Sequence, residues 1–152
     1  MKRFKFSLQT LHELRERARE EAESKLSQAH AKVAQAEAAL EQAQLARNLA
    51  LENNAHYLSS GQINSHEVAM RADYIAVLDR RIAEAWQQLN QAQIEREARM
   101  REAVKAAMAA EATAKLREKH RARHESEVAR TEQEWLDELA TLASARRRTE
   151  VL

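Results

Sequence analysis

The sequence predicts an all-α fold in which two long helices form an antiparallel coiled-coil hairpin with a C-terminal helical overhang. The 152 residues include one glycine, Gly61, and no proline, so strong backbone breakers are almost absent. Charged residues make up 32% of the chain and aromatic residues 4%, a composition typical of coiled coils. Apolar residues also recur at alternating three- and four-residue steps, which is the heptad spacing of such helices.

The first helix is predicted over residues 7–60. Ser7 is a favourable N-cap residue immediately before the apolar pattern. Four-residue steps around Ala22 predict a stutter, after which heptad spacing begins at Leu26. A glycine directly after the last helical residue is a common helix stop, and Gly61 provides it. The apolar positions assigned to this helix are Leu8, Leu11, Ala18, Ala22, Leu26, Ala29, Val33, Ala36, Leu40 and Ala43.

A turn at residues 61–63 is predicted to lead into a second helix over residues 64–146. Asn64 can cap this helix, and Glu67 follows three residues later as in a capping box. We therefore expect a single coiled-coil domain covering residues 1–152. The apolar register assigned to the second helix comprises Val68, Ala72, Ile75, Ile82, Trp86, Leu89, Met100, Ala103, Ala107, Ala110 and Ala114, with Tyr74 and Leu78 placed beside it.

The second helix is predicted to be longer than the first. With a turn near residue 62, antiparallel partners have residue numbers that sum to roughly 124, because both helices rise equally per residue. Leu8 is then opposite about Leu116, and roughly 30 residues after about residue 118 form an uncovered helix about 45 Å long. An exposed apolar stripe usually marks a binding or self-association surface. The stripe on this overhang comprises Val128, Trp135, Leu139 and Leu142.

Composition and motifs argue against an enzyme. The absence of cysteine excludes disulfides and thiolate metal sites, and one glycine cannot build a phosphate-binding loop. His120 and His124 lie one helical turn apart, but no acid is placed beside them as in a zinc protease helix, so a solvated face is the favoured interpretation. No catalytic residue, cofactor site or metal site is predicted.

Nucleic-acid and membrane partners are also disfavoured. The formal net charge is +1, and the basic run Arg146-Arg147-Arg148 is short enough to be a favourable helix C-terminus. No secretory signal is recognisable, and no apolar stretch approaches the ~20 residues needed to span a bilayer. We expect a cytoplasmic protein without direct membrane insertion.

Three stretches of the chain carry a family resemblance. It opens with Phe4-Lys5-Phe6-Ser7-Leu8-Gln9-Thr10-Leu11, continues after the turn with Tyr74-Ile75, Leu78 and Ile82, and ends with Arg130-Thr131-Glu132-Gln133-Glu134-Trp135-Leu136-Asp137-Glu138-Leu139-Ala140. These stretches resemble the FliJ family, the small coiled-coil component of the flagellar type III export ATPase complex. The C-terminal block carries most of the specificity.

The resemblance implies a non-enzymatic stalk of the type III protein export apparatus. Such a stalk would couple a hexameric export ATPase to the cytoplasmic part of a membrane export gate and would escort export chaperones. It would be cytoplasmic and peripherally associated with the inner membrane. The implied ATPase-contacting residues are Gln133, Trp135, Asp137, Glu138, Leu139 and Ala140. The implied gate-contacting residues are Tyr74, Leu78, Arg81 and Ala85, with Arg81 replacing a small residue of the family pattern.

Two alternatives remain open at this point. The counterpart of FliJ in a virulence injectisome shares the same architecture and role. A self-associating structural coiled coil would use the apolar stripe of the overhang to seal a homodimer. Analytical ultracentrifugation separates the second alternative from a stalk, which is predicted to be predominantly monomeric when free.

Overall fold

The computed structural model describes residues 4–149, with side chains described as far as Arg146. Two helices account for most of this range: α1 spans Gln9–Ser59 and α2 spans Ser65–Thr149. Residues 4–149 contain no β-strand. The two helices pack against each other as an antiparallel hairpin, so the predicted fold class is confirmed.

Helix α1 begins two residues later than predicted. Ser7 and Leu8 form a turn in which the amide of Gln9 donates to the carbonyl of Phe6 at 3.1 Å. The carbonyl of Leu8 then accepts from the amide of His12 at 2.9 Å. An N-cap residue is the one whose carbonyl accepts the first helical hydrogen bond, so Leu8 holds this position and the prediction of Ser7 as the N-cap is wrong.

Residues 60–64 connect the helices through a compact set of hydrogen bonds. The hydroxyls of Ser59 and Ser60 donate to the carbonyls of His56 and Tyr57 at 2.8 and 2.7 Å, which satisfies acceptors left free at the end of α1. The Asn64 side chain accepts from the amide of His66 at 2.9 Å, so its predicted role as N-cap of α2 is confirmed. Because each helix end has side-chain partners, the turn is locally specified.

Gly61 adopts the left-handed backbone region with φ of 77°, and an added Cβ would meet no atom within 4 Å. Gly61→Ala is therefore expected to lower the free energy of unfolding by about 1–2 kcal/mol through backbone strain alone. Thermal unfolding followed by circular dichroism measures the loss. Asparagine tolerates the left-handed region, so Gly61→Asn should lose less. Equal losses for both variants would contradict the backbone explanation.

The chain divides into two compact units, and residues 20–105 form one of them. Its core is a buried cluster of Val33, Ala36, Leu40, Ala85 and Leu89, against which Ile82 and Ala92 pack. Two ion pairs cross between the helices at the edge of this core, Lys32 with Glu95 and Arg47 with Asp79. The residue numbers in these pairs sum to 127 and 126, slightly above the predicted value of roughly 124.

The seam of α2 differs from the predicted register. Leu78 is only 1% exposed and lies in the seam, so its predicted position beside the seam is wrong. Trp86 and Met100, which were assigned to the seam, are instead exposed. The residues that face α1 follow uninterrupted four- and three-residue steps: Arg71, Ile75, Leu78, Ile82, Ala85, Leu89, Ala92, Arg96, Arg99, Ala103, Ala106, Ala110 and Thr113.

Residues 4–19 and 106–149 form the second compact unit, and its seam is largely polar. His12 Nδ1 lies 3.1 Å from Thr113 Oγ1, and Arg15 donates to the carbonyl of Ala109 at 3.2 Å. Ala110 is fully buried, and its small side chain allows the two helices to approach closely. The residue numbers of the two polar pairs sum to 125 and 124, which matches the predicted pairing.

The register of α1 in this unit is therefore carried by polar residues. His12 and Arg15 are half-buried, whereas Leu8 and Leu11 are exposed. His12, Arg15, Ala22 and Leu26 keep one heptad register, so the predicted stutter around Ala22 is wrong.

The N-terminal segment, defined as residues 4–8, extends the covered part of α2. The Phe6 ring contacts the His120 ring edge to face at 5.7 Å, and the Phe4 ring contacts the His124 ring at 5.6 Å. Residues 4–8 are not helical, and non-helical chain advances further per residue than a helix. Phe4 therefore contacts His124, about one turn beyond the residue near 120 that helical pairing predicts. The uncovered part of α2 therefore begins after His124 rather than after residue 118. His120 is exposed, as the solvated-face interpretation predicted, whereas His124 is half-buried.

Candidate functional site

The part of α2 beyond His124 has no cover from α1. Val128 is half-buried, and every described side chain from Ala129 to Arg146 is exposed. Four large apolar side chains on this part are exposed: Trp135 at 60%, Leu136 at 52%, Leu139 at 43% and Leu142 at 61%. A monomeric protein rarely exposes a contiguous apolar surface without a binding role. We refer to residues 125–146 as the uncovered helix.

The large apolar residues of the uncovered helix share one face, except Leu136, which lies on a flank. Successive residues of an α-helix turn by about 100°, which places Val128, Trp135, Leu139 and Leu142 within a narrow sector. The same sector includes Thr113 and His124, the residues through which α2 contacts His12 and Phe4. The exposed face is thus a continuation of the face that α1 and the N-terminal segment cover earlier along α2.

All six predicted ATPase-contacting residues are exposed, and they lie around the helix rather than on one side. Trp135 and Leu139 occupy the apolar face, whereas Gln133 and Asp137 lie on the opposite side. Glu138 and Ala140 lie on the two flanks. The structure therefore brings the set together in one segment, but a partner that touched all six would have to surround the helix.

The polar surface of the uncovered helix is acidic. Between residues 125 and 138 there are six acidic residues and one basic residue, Arg130. Gln133 Nε2 donates to Asp137 Oδ1 at 3.0 Å, and Arg130 pairs with Glu134 at 3.4 Å. With the pairs of Arg121 with Glu125 and Arg123 with Glu127, four of the six carboxylates have partners within the helix, and all six side chains stay exposed. A basic partner surface would therefore be favoured.

Ion pairs along the helices differ in their order. Among pairs four residues apart, the acid comes first up to residue 115: Glu21 with Lys25, Glu97 with Arg101 and Glu111 with Lys115. The pair of Arg99 with Glu102, three residues apart, is base-first. From residue 121 onward the base comes first: Arg121 with Glu125, Arg123 with Glu127 and Arg130 with Glu134. Acid-first pairs agree with the helix dipole and are the more stabilising of the two.

Hydrogen bonds in these exposed pairs shift pKa values in the ordinary direction. The hydrogen bond with Lys115 lowers the pKa of the Glu111 carboxyl, and the hydrogen bond with Glu125 raises the pKa of the Arg121 guanidinium. Both shifts favour the charged forms that the side chains already hold near neutral pH. They describe a charged surface rather than groups prepared for proton transfer.

The four predicted gate-contacting residues are divided by the structure. Tyr74 is 54% exposed and Arg81 is exposed, but Leu78 and Ala85 pack in the seam against α1. A direct contact through the two buried side chains would require α1 to move away. The structure therefore gives Leu78 and Ala85 a packing role, and only Tyr74 and Arg81 offer surface to a partner.

Sequence reasoning missed two exposed residues beside Tyr74. Met70 and Val77 lie on the same face of α2 as Tyr74 and Arg81, at four- and three-residue steps. A groove of about 380 Å³ adjoins this face and is lined by Glu67, Met70, Arg71 and Tyr74. The Arg71 guanidinium lies over the Tyr57 ring at 4.3 Å, which fixes one wall. The sequence could have indicated this face, because Met70, Tyr74 and Val77 follow the same four- and three-residue steps as the seam residues.

Two other classes of site are absent from the described residues. Within residues 4–149, no three histidine, aspartate or glutamate side chains are grouped closely enough to hold a metal ion. Neither α1 nor α2, over the described range, contains a stretch both long and apolar enough to cross a bilayer.

Comparison with protein families decides the assignment. The family profile described as "Flagellar FliJ protein" matches residues 4–149. The chain belongs to the FliJ family. The match includes the N-terminal segment, both helices and the uncovered helix, and it confirms the resemblance found in the sequence. Neither the search of curated proteins nor that of solved structures found a match. As a FliJ-family member, the chain is a helical coiled-coil protein related to flagellar export.

Proposed function

We propose that this FliJ-family chain is a non-enzymatic coupler of the flagellar export apparatus, whose uncovered helix binds the hexameric export ATPase. The observation that carries the proposal is the exposed apolar face of Trp135, Leu139 and Leu142, which no part of the described chain covers. The half-buried Val128 continues this face toward α1. Large aromatic side chains such as Trp135 commonly dominate the binding energy of protein interfaces. The flagellar profile favours this system over the injectisome counterpart.

The distribution of side chains supports a partner that encloses the helix. Gln133 and Asp137 lie opposite Trp135 and Leu139, so a flat docking surface would leave one pair in solvent. A ring of subunits around the helix would contact both pairs. The excess of carboxylates on this segment matches a basic ring lining. Such charge pairing would fix the position of the helix within the ring more than it would strengthen binding. Coupling further requires that the ring binds the helix unequally in its different nucleotide states.

We extend the proposal to the export gate and to export chaperones. Tyr74 and Arg81, together with Met70 and Val77, would form the gate-contacting face, and Leu78 and Ala85 would hold that face in place from the seam. The protein would then lie in the cytoplasm, associated with the inner membrane through the gate rather than by insertion. Escort of export chaperones completes the proposed role.

The test of the central proposal is the rate of ATP hydrolysis by the cognate export ATPase with and without this chain. We expect the chain to stimulate hydrolysis and to saturate at one copy per hexamer. The chain alone should hydrolyse no ATP. A rate that does not respond to the chain at any concentration would overturn the proposal.

A second candidate function is that of a self-associating structural coiled coil, because the same exposed apolar face could seal a homodimer. Sedimentation of the free chain at micromolar concentration distinguishes the two. A predominantly monomeric chain supports the coupler. A stable dimer that is lost when Trp135 is replaced supports the structural protein.

A further inference from the structure

The N-terminal segment, residues 4–8, lies on α2 immediately before the uncovered helix begins. Phe6 is 8% exposed and contacts His120, and Phe4 contacts His124. Within the described residues, no hydrogen bond or ion pair joins the segment to α2, and its own order depends on the turn that precedes α1. The attachment of the segment to α2 therefore rests on two phenylalanine rings.

The segment occupies the beginning of the face that the uncovered helix exposes. An interval of 18 residues is about five helical turns, so residues separated by it point in the same direction. His124 precedes Leu142 by this interval, and Arg117 likewise precedes Trp135. The N-terminal segment thus covers the first part of one continuous face. Its removal would uncover the part of α2 that carries Arg117, His120, Arg121 and His124, next to the apolar face of the uncovered helix.

Several features make this cover easy to detach. A groove of about 420 Å³ remains between the segment and α2, with Phe4, Arg117 and Arg121 among its lining residues, so the packing is incomplete. Lys5 belongs to the segment, and the nearby part of α2 is rich in like charge, which opposes attachment. Ordering five non-helical residues also costs conformational entropy comparable in size to what burial of two rings returns.

We propose that the N-terminal segment is a detachable cover, and that the α2 face beneath it joins the ATPase-binding face when the segment leaves. The identity of the partner rests on the proposed function, whereas release of the segment does not. Binding of the ring to the covered form would carry the free-energy cost of release. A chain whose cover is already open would therefore bind more tightly.

Release is tested first on the isolated chain by proton NMR of the histidine side chains. Aromatic rings in contact with an imidazole shift its proton resonances, so His120 and His124 should differ between the wild-type chain and the Phe4→Ala/Phe6→Ala variant. His66, near the start of α2, is the unaffected control. On warming, the wild-type resonances should move toward those of the variant before helicity falls. Resonances that stay in place until global unfolding would overturn a detachable cover.

The second test compares affinities for the cognate export ATPase. The Phe4→Ala/Phe6→Ala variant is expected to bind about fivefold more tightly than the wild-type chain, because no cover has to be released. Leu14→Ala is the matched control, since Leu14 is an exposed apolar residue of the same unit, and its affinity should equal the wild type. Unchanged or weaker binding by the double variant would overturn the inference. An ATPase that binds neither chain would overturn the proposed function. The NMR result alone would then show whether the N-terminal segment detaches from α2.

Discussion

Replacing Leu78 with alanine is expected to lower the free energy of unfolding by about 3 kcal/mol, within the range measured for leucine truncations in protein cores. Leu78 is 1% exposed and is the largest fully buried side chain in the described part of the chain. The seam of two helices has few other large residues, so the cavity left by truncation cannot be filled by neighbours. Urea unfolding followed by circular dichroism gives the loss.

Tyr74→Ala is the matched control for Leu78→Ala. Tyr74 is exposed four residues earlier on the same helix, so its truncation should change the free energy of unfolding by less than about 0.5 kcal/mol. Tyr74→Ala should instead weaken capture of the export gate. Leu78→Ala should weaken capture only at temperatures where the variant unfolds. Loss of capture by a fully folded Leu78→Ala variant would contradict the packing role that the structure gives this residue.

Trp135→Ala is expected to weaken binding to the export ATPase about 30-fold, which corresponds to roughly 2 kcal/mol for a central aromatic residue of an interface. The indole is 60% exposed in the free chain, so its removal should leave the stability of the helical hairpin unchanged. The concentration of chain that gives half-maximal stimulation of ATP hydrolysis measures the effect.

The second tryptophan of the chain supplies the control. Trp86 is similarly exposed at 54%, but it lies in the unit formed by residues 20–105 rather than on the uncovered helix. Trp86→Ala should leave the half-maximal concentration unchanged. Equal effects of the two substitutions would show that exposed indoles act non-specifically. No effect of either would remove the uncovered helix from the proposed ATPase contact.

The turn and the apolar half of the seam could be predicted because their chemistry is local. Gly61 is the only glycine of the chain and is suited to a left-handed helix stop, and Asn64 has a side chain that can accept from the next turn. Val33 and Leu40 likewise reveal a heptad by spacing alone. The polar part of the seam gave no such signal. Arg96 and Arg99 are half-buried at seam positions, and an apolar pattern cannot detect them. Long basic side chains can occupy such positions because their stems are apolar.

The candidate site was predictable in position but not in extent. The mismatch in helix length placed Trp135 and Leu142 outside the paired region, and both are exposed. The contacts of Phe4 and Phe6 with two histidines were not predictable, because a short non-helical segment has no periodicity that indicates where it lies. For the same reason, the distance over which α2 is covered was underestimated.

The base-first ion pairs from Arg121 onward have a consequence for how a partner is recognised. They contribute less to an isolated helix than acid-first pairs, and no second helix compensates for them. We therefore expect the uncovered helix of the free chain to unwind and re-form continually. It would become fully helical only when it binds the proposed partner. Folding that is coupled to binding lowers affinity for a given contact area and allows rapid release. Dissolved salt would screen these ion pairs, so more of the helix would have to be ordered when the partner binds it, at a larger entropic cost.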